Sequence, residues 1–257
     1  MRSHRIVVPL SNLAAVYIVI AIGAFIVGLS KGGLGGALGS LVTPLFALVM
    51  PAQLAVGMGL PLLIVGDAFA VYAHWKRWDS RLIIALLPGS ILGVILGSLL
   101  FSRISSIDLQ HALGILALLY VAWKVWQRRN RQPPGESRKP EGWQPHVFGA
   151  GAGFASALAN AGGPLITIYL LSLRLLPAAF VGTSALYFAL INASKIPAYV
   201  SAHILTLDGI KVVAWAMPLV PFGVWSGVLL DRHIDMPTFE AIILIFLAVT
   251  GVALLVK

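Results

Sequence analysis

The chain has 257 residues, of which 59% are apolar and 11% charged, with no cysteine and a net charge of +9. Soluble domains contain about 25% charged residues, so this composition and a mean hydropathy of +0.93 indicate a polytopic α-helical membrane protein. The lack of cysteine excludes disulfides, thiolate metal sites and thiol catalysis. Six of the eighteen basic residues fall within the single stretch 124–139, which explains the net charge without nucleic acid.

Apolar segments follow one another along the chain. A helix needs about 20 apolar residues to cross a bilayer. We therefore predict that the four shortest segments (13–29, 34–50, 147–160 and 164–176) are broken or re-entrant helices. The longest polar stretch, 126–146, is rich in Pro, Gly and charge and is predicted to be a linker. The remaining apolar segments are 54–73, 82–101, 109–126, 178–200, 212–230 and 238–256.

The two sides of this linker repeat one another. The stretch "VMPAQLAVG" (49–57) recurs as "LLPAAFVGT" (175–183). The stretch "RLIIALLPGSILGVILGSLL" (81–100) recurs as "KVVAWAMPLVPFGVWSGVLL" (211–230). The chain is therefore predicted to consist of two related halves.

We divide the chain into an N-terminal transmembrane repeat (1–126), a basic linker (127–145) and a C-terminal transmembrane repeat (146–257). Each repeat is predicted to hold a short broken or re-entrant helix pair plus three transmembrane helices. Three crossings invert the second repeat relative to the first, as in many secondary transporters. With the linker in the cytoplasm, eleven basic residues lie on the cytoplasmic side and five on the other. This count favours a cytoplasmic linker, with both termini opposite.

The repeats each contain an interruption rich in small residues, "GLSKGGLGGALGS" (28–40) and "LANAGGPL" (158–165). A break in a membrane helix frees backbone N–H and C=O groups that lipid cannot satisfy. Such a break therefore occurs only where the backbone contacts protein or a water-filled cavity. The helix that follows each break begins with unpaired N–H donors and a partial positive charge, which together attract anions. We interpret Gly93 and Gly97, in contrast, as helix-packing positions. The predicted substrate-binding residues are Ser30, Lys31, Gly32, Gly33, Gly35, Gly36, Asn160, Gly162, Gly163 and Pro164.

Ionisable residues within apolar spans are functional candidates. Asp67 could form a structural pair with Lys31 or relay protons. Asn192 lies within one residue of the position that matches Asp67 in the second repeat. Lys195 is either functional or extended towards the membrane interface. The residues predicted to couple or support transport are Asp67, Asn192, Lys195, Ser184 and Tyr187.

The stretches "GLSKGGLGGALGSLVTPL" (28–45) and "GFASALANAGGPLITIYLL" (153–171), with the matched "MPA" and "LPA" turns, resemble the TauE/SafE family of membrane permeases. The resemblance covers nearly the whole chain except the linker. It implies a multi-pass carrier of the bacterial inner membrane for sulfite or an organosulfonate.

The function we predict is a secondary transporter that exports a small sulfur-containing anion by alternating access. The alternative is an anion channel, or a carrier of another small anion, on the same scaffold. We predict no enzyme, because intramembrane aspartyl proteolysis needs two carboxylates and the spans offer Asp67 alone. The expected partners are the anion and the lipid bilayer, without nucleic acid, cofactor or metal, and the sequence leaves a homodimer open.

Overall fold

The computed structural model describes residues 13–33, 36–101, 103–129, 142–173, 175–230, 244–245, 248–249 and 251–256. These residues form helices and no strand. The linker lies largely outside them, and the predicted segment 238–256 is described only in part. The helices are α1 (Leu13–Gly33), a 3-10 helix (Ala37–Leu41), α2 (Val42–Ala47), α3 (Ala52–Ala73), α4 (Ser80–Phe101), α5 (Ser106–Arg129), α6 (Gln144–Ala159), α7 (Gly163–Ser172), α8 (Pro177–Ser201), α9 (Leu207–Ala214) and α10 (Leu219–Leu230).

Several of these helices are suited to a bilayer. Within the described ranges, α1, α3, α4 and α8 are each long and apolar enough to cross it. The pair α9 and α10 qualifies as a fifth span if its two bent pieces are counted together. The prediction of an all-α polytopic membrane protein is confirmed.

The prediction that the first apolar segment is too short to cross is wrong. Helix α1 continues to Gly33 and has 21 residues, which is about 31 Å at 1.5 Å per residue. It stays helical through this glycine-rich end because the small residues pack directly against α10. The interruption therefore falls after Gly33, and the next helical turn begins at Ala37. The other three short segments remain short, as α2, α6 and α7.

The apolar segment 212–230 is divided between two helices. Helices α9 and α10 meet at 58° across a break that contains Pro218. Around this break the backbone bonds span three residues, as in Ala216 N–H to Val213 O and Leu219 N–H to Ala216 O. Proline lacks an N–H and its ring clashes with the preceding turn, so the chain bends here.

Glycines bring two pairs of helices into close contact, α4 with α6 and α1 with α10. A methyl group on Gly93 would lie 2.1 Å from the backbone oxygen of Ala150. One on Gly223 would lie 2.4 Å from that of Phe25. Gly97 likewise faces α6, which confirms the packing interpretation of Gly93 and Gly97. Each pair joins a helix of one half to a helix of the other, through the small-residue contacts typical of membrane helices.

Helices α3 and α8 begin in the same way. The residue before each helix is extended, Pro51 with φ −55° and ψ 138°, and Leu176 with φ −58° and ψ 143°. In α3 the cap is itself proline, whose ring fixes φ near this value, whereas in α8 the proline is Pro177, at the first helical position, where proline is favoured. Asp67 and Asn192 each lie sixteen residues beyond the cap of their own helix. Since α3 packs against α8, the two polar residues meet.

Candidate functional site

The two breaks have the same local geometry. Gly36 adopts the left-handed conformation with φ 77°, and its N–H donates to Ser30 O at 3.0 Å. Asn160 is also left-handed, with φ 54°, and the next N–H, of Ala161, donates to Ala155 O at 3.2 Å. Each of these bonds joins two residues that lie six positions apart in the chain. Glycine and asparagine are the residues that adopt this conformation most readily, so each break has a residue suited to it.

A small cavity lies between the two breaks and the facing sides of α3 and α8. It has room for about one water molecule. Its lining is a mixture of charged, polar and small residues with two apolar side chains. The lining residues are Lys31, Gly36, Gly39, Ser40, Leu63, Ser156, Asn160, Gly163, Phe188 and Asn192.

One side of the cavity holds an ion pair. The ammonium of Lys31, whose side chain is 3% exposed, contacts Oδ1 of Asp67. Asn192 Nδ2 donates to the other carboxylate oxygen at 2.6 Å. The ammonium also lies 4.5 Å from the centroid of the Phe188 ring, a distance at which the ring face attracts a cation. The carboxylate is therefore satisfied on both oxygens, by a charge from α1 and an amide from α8.

The opposite side holds a second lysine. Lys195 is fully buried, and its Nζ donates to Asn160 Oδ1 at 2.7 Å, Ser156 Oγ at 3.1 Å and Ser156 O at 3.3 Å. Three oxygens match the three donors of an ammonium group. In the part of the chain that the structure describes, no carboxylate contacts this group. Its described polar partners are neutral oxygens, and its Nζ also lies 5.7 Å from the centroid of the Tyr199 ring.

The orientation of the Asn160 amide follows from its neighbours. Its Nδ2 donates to Thr43 Oγ1 at 3.1 Å and to Val56 O at 3.0 Å. The amide oxygen is thereby directed at Lys195. One side chain at the end of α6 thus connects α2 and α3 of the first half to α8 of the second.

The described charges around the cavity do not cancel. Two ammonium groups, of Lys31 and Lys195, face one carboxylate, of Asp67. A buried charge without a counter-charge is unfavourable in a medium of low polarity. Such a cavity is suited to a small anion, which would supply the missing negative charge.

Comparison with protein families identifies one family for this chain. The family model described as "Sulfite exporter TauE/SafE" matches residues 20–254. The chain belongs to this family. Comparison with curated proteins and with solved structures found no match. The TauE/SafE match extends over both halves and both breaks, so the protein is a membrane transporter of the sulfite-exporter type.

In this TauE/SafE protein, five of the ten predicted substrate-binding residues are described but are not among the residues that line the cavity. A methyl group on Gly32 would lie 2.1 Å from Val224 O, and one on Gly33 would lie 2.5 Å from Gly227 O. Both glycines thus face α10. Gly162 faces the backbone of α6. Ser30 accepts the Gly36 bond through its backbone oxygen, Pro164 is the second residue of α7, and Gly35 lies outside the described residues.

Other predicted residues line or support the TauE/SafE cavity. Lys31, Gly36, Asn160, Gly163 and Asn192 line it, and Asp67 and Lys195 bind lining residues from behind.

Tyr187 has a different environment. Its hydroxyl lies 2.7 Å from Ser90 Oγ, which in turn donates to Leu86 O, so it joins α8 to α4. Ser184 is fully buried, and its hydroxyl has no hydrogen-bond partner among the described residues. Ser184 lies one helical turn before Phe188 and so shares the face of α8 that reaches the cavity.

The sequence interpretation missed five residues that line the cavity, namely Gly39, Ser40, Leu63, Ser156 and Phe188. Two of them could have been identified from their spacing. Ser156 lies four residues before Asn160, and Phe188 lies four residues before Asn192. Residues four apart share one face of a helix. Once Asn160 and Asn192 are candidates, this spacing is the signal that identifies the other two.

Proposed function

We propose that this TauE/SafE protein is a secondary transporter that exports a small sulfur-containing anion, such as sulfite or an organosulfonate, by alternating access. We place it in a bacterial inner membrane. The observation that carries the proposal is the buried cavity between the two breaks, where two lysines face one aspartate. An excess of positive charge inside a membrane protein attracts an anion.

The arrangement of the helices supports two inverted repeats around this cavity. Helix α1 of the first half packs on α10 of the second, and α6 of the second half packs on α4 of the first. Asp67 and Asn192, at matched positions of α3 and α8, contact each other. Carriers built from inverted repeats bind their substrates between the repeats, at interrupted helices. The location of the cavity beside the two breaks supports this assignment.

The closure of the cavity favours a carrier over a channel. Lys31, Ser156, Asn160 and Asn192 are all buried, and the space between them holds about one water molecule. An anion can enter only after the surrounding helices move. A channel instead needs a continuous polar path through the membrane.

Reconstitution tests the proposal. We expect proteoliposomes loaded with sulfite, taurine, sulfoacetate, sulfate or a carboxylate to show counterflow of at least one sulfur-containing anion. We expect Lys195→Met to reduce this transport strongly. The matched control is Lys211→Met, which removes an exposed lysine paired with Asp208 and should leave transport unchanged. Saturable flux that an anion on the opposite side stimulates indicates a carrier, whereas flux without such stimulation indicates a channel. The proposal fails if no sulfur-containing anion moves, or if Lys195→Met transports normally.

A further inference from the structure

The net charge of the groups around the cavity indicates how many charges the substrate carries. We infer that the site selects its ligand by charge and binds a monovalent anion, namely a sulfonate or related oxyanion with one ionised group. A dianion would be carried only after it takes up one proton. This inference rests on the proposed transport function and concerns which anions the cavity accepts.

The groups that face the site from each surrounding helix define the balance. Helix α1 contributes the ammonium of Lys31, α3 the carboxylate of Asp67, and α8 the ammonium of Lys195 with the neutral amide of Asn192. The contributions of α2 and α6 are neutral hydroxyl and amide groups. The nearest histidine along α3, His74, is bound to Gly32 O and does not line the cavity. The described groups therefore sum to one positive charge.

The geometry around Lys195 supports its charged form. A neutral amine has two N–H donors, whereas three oxygens of Ser156 and Asn160 surround this nitrogen within 3.3 Å. These oxygens belong to residues that line the cavity, and Lys195 lies behind them. Lys195 is thus a positioning residue. It acts on a bound anion through its field and through the two side chains it holds.

A monovalent anion brings the filled site to neutrality. A dianion would leave one negative charge in excess, and a zwitterion would leave the positive charge unbalanced. In either case the filled site keeps a net charge that is buried away from water, where an uncompensated charge is strongly unfavourable. A proton on the dianion restores neutrality, because it turns the ligand into a monoanion.

Three two-carbon sulfonates provide matched probes, because they differ in charge and little in size. At neutral pH, 2-hydroxyethanesulfonate carries one negative charge, sulfoacetate two, and taurine none in net. We expect wild-type proteoliposomes to take up 2-hydroxyethanesulfonate at least about tenfold better than either other probe, since one unit charge at contact distance changes affinity by about that or more. A preference of the wild type for sulfoacetate or taurine would overturn the inference.

Variants of the site change its charge in steps. Asp67→Asn raises the charge to +2, so the ratio of sulfoacetate to 2-hydroxyethanesulfonate uptake should rise at least about tenfold. Lys195→Met lowers the charge to zero and should raise the relative uptake of taurine by a similar factor. The double variant Lys31→Gln/Asp67→Asn keeps the charge at +1. It should retain the wild-type valence preference even if its affinity is lower.

The double variant and Lys195→Met keep the inference falsifiable if Asp67→Asn does not fold. Identical probe ratios in these two variants would contradict a selection by charge. Failure of the proposed function has a different result, because the wild type would then take up none of the three probes. If the wild type takes up all three probes equally well, the inference fails but the proposed transport function does not.

Discussion

The side-chain amide of Asn192 donates a 2.6 Å hydrogen bond to Asp67, although the two residues lie 125 positions apart in opposite halves of the chain. Each occupies the same position in its own helix, counted from the cap. Residues at matched positions of two repeats can touch only near the axis that relates them. In the proposed inverted repeat, this contact therefore lies at the axis, beside the cavity.

This contact predicts a loss of stability when the amide is removed. Asn192→Ala leaves Oδ2 of a buried carboxylate without a donor, which we expect to lower the free energy of unfolding by about 1–3 kcal/mol. Thermal unfolding in detergent measures the effect. The control is Ser194→Ala on the same helix, whose hydroxyl donates to the backbone oxygen of Ile191, one turn earlier in that helix. Equal unfolding temperatures for the two variants would contradict the prediction.

The pair Lys31–Asp67 predicts a strong coupling between its members. Lys31→Ala or Asp67→Ala alone leaves a buried charge without its partner, and each should destabilise the protein by about 3–5 kcal/mol. The double variant should lose less than the sum of the two. A double-mutant cycle on unfolding in detergent gives the coupling energy. If the double variant also regains normal transport, the role of Lys31 is structural and not substrate binding.

Asn160 combines a backbone role with a side-chain role, and two substitutions separate them. Asn160→Gly preserves the left-handed conformation but removes the oxygen that binds Lys195, so the protein should fold while its KM for the anion rises. Asn160→Ala should in addition lose about 1–2 kcal/mol, because a Cβ disfavours this conformation. Transport kinetics and unfolding temperatures distinguish the two effects. An unchanged KM in Asn160→Gly would remove the amide from the candidate site.

The close approach of α4 and α6 predicts unequal tolerance of neighbouring glycines. Gly93→Ala would place a methyl group 2.1 Å from Ala150 O, and we expect a marked fall in unfolding temperature and in the yield of inserted protein. Gly151→Ala on α6 meets only the Leu165 side chain, at 3.2 Å, and is the matched control. Equal stability of the two variants would show that the helices are less tightly packed than the structure indicates.

The charge asymmetry of the sequence predicts the orientation in the membrane. The chain contains no cysteine, so a single introduced cysteine reports its own side. In intact cells, an impermeant thiol reagent should label Ser3→Cys near the N-terminus and leave Ser137→Cys in the linker unlabelled until the cells are opened. Labelling of Ser137→Cys in intact cells would reverse the assignment.

Much of the fold could be predicted from local patterns. Apolar length identified most helices, and the repeated "MPA" and "LPA" turns marked the starts of α3 and α8. The structure departs from the apolar pattern at glycine and proline, because that pattern does not show whether such a residue interrupts a helix. Gly32 and Gly33 stay helical because α10 lies directly against them, whereas Pro218 bends the chain between α9 and α10.

The candidate site was predicted only in part. The breaks could be inferred from their small residues, and the pairing of Lys31 with Asp67 was one of two interpretations of the ionisable residues in apolar spans. The arrangement of these groups could not be inferred, because it depends on which helices of the two halves meet. The sequence does not reveal that Lys195 is bound by the neutral oxygens of Ser156 and Asn160. Nor does it reveal that Gly32 faces away from the cavity.

The unbalanced charge of Lys195 has a consequence for energetics in a living membrane. Moving one unit charge across the membrane potential changes the free energy by about 2.3 kcal/mol per 100 mV. Where the cytoplasm is negative, the empty site, with its positive charge, is drawn inwards, while a site filled by a monovalent anion is neutral and feels little force. The potential would then return the vacant carrier to the cytoplasmic side after each release. In such a cycle the cell's own voltage, without nucleotide hydrolysis, gives export its direction.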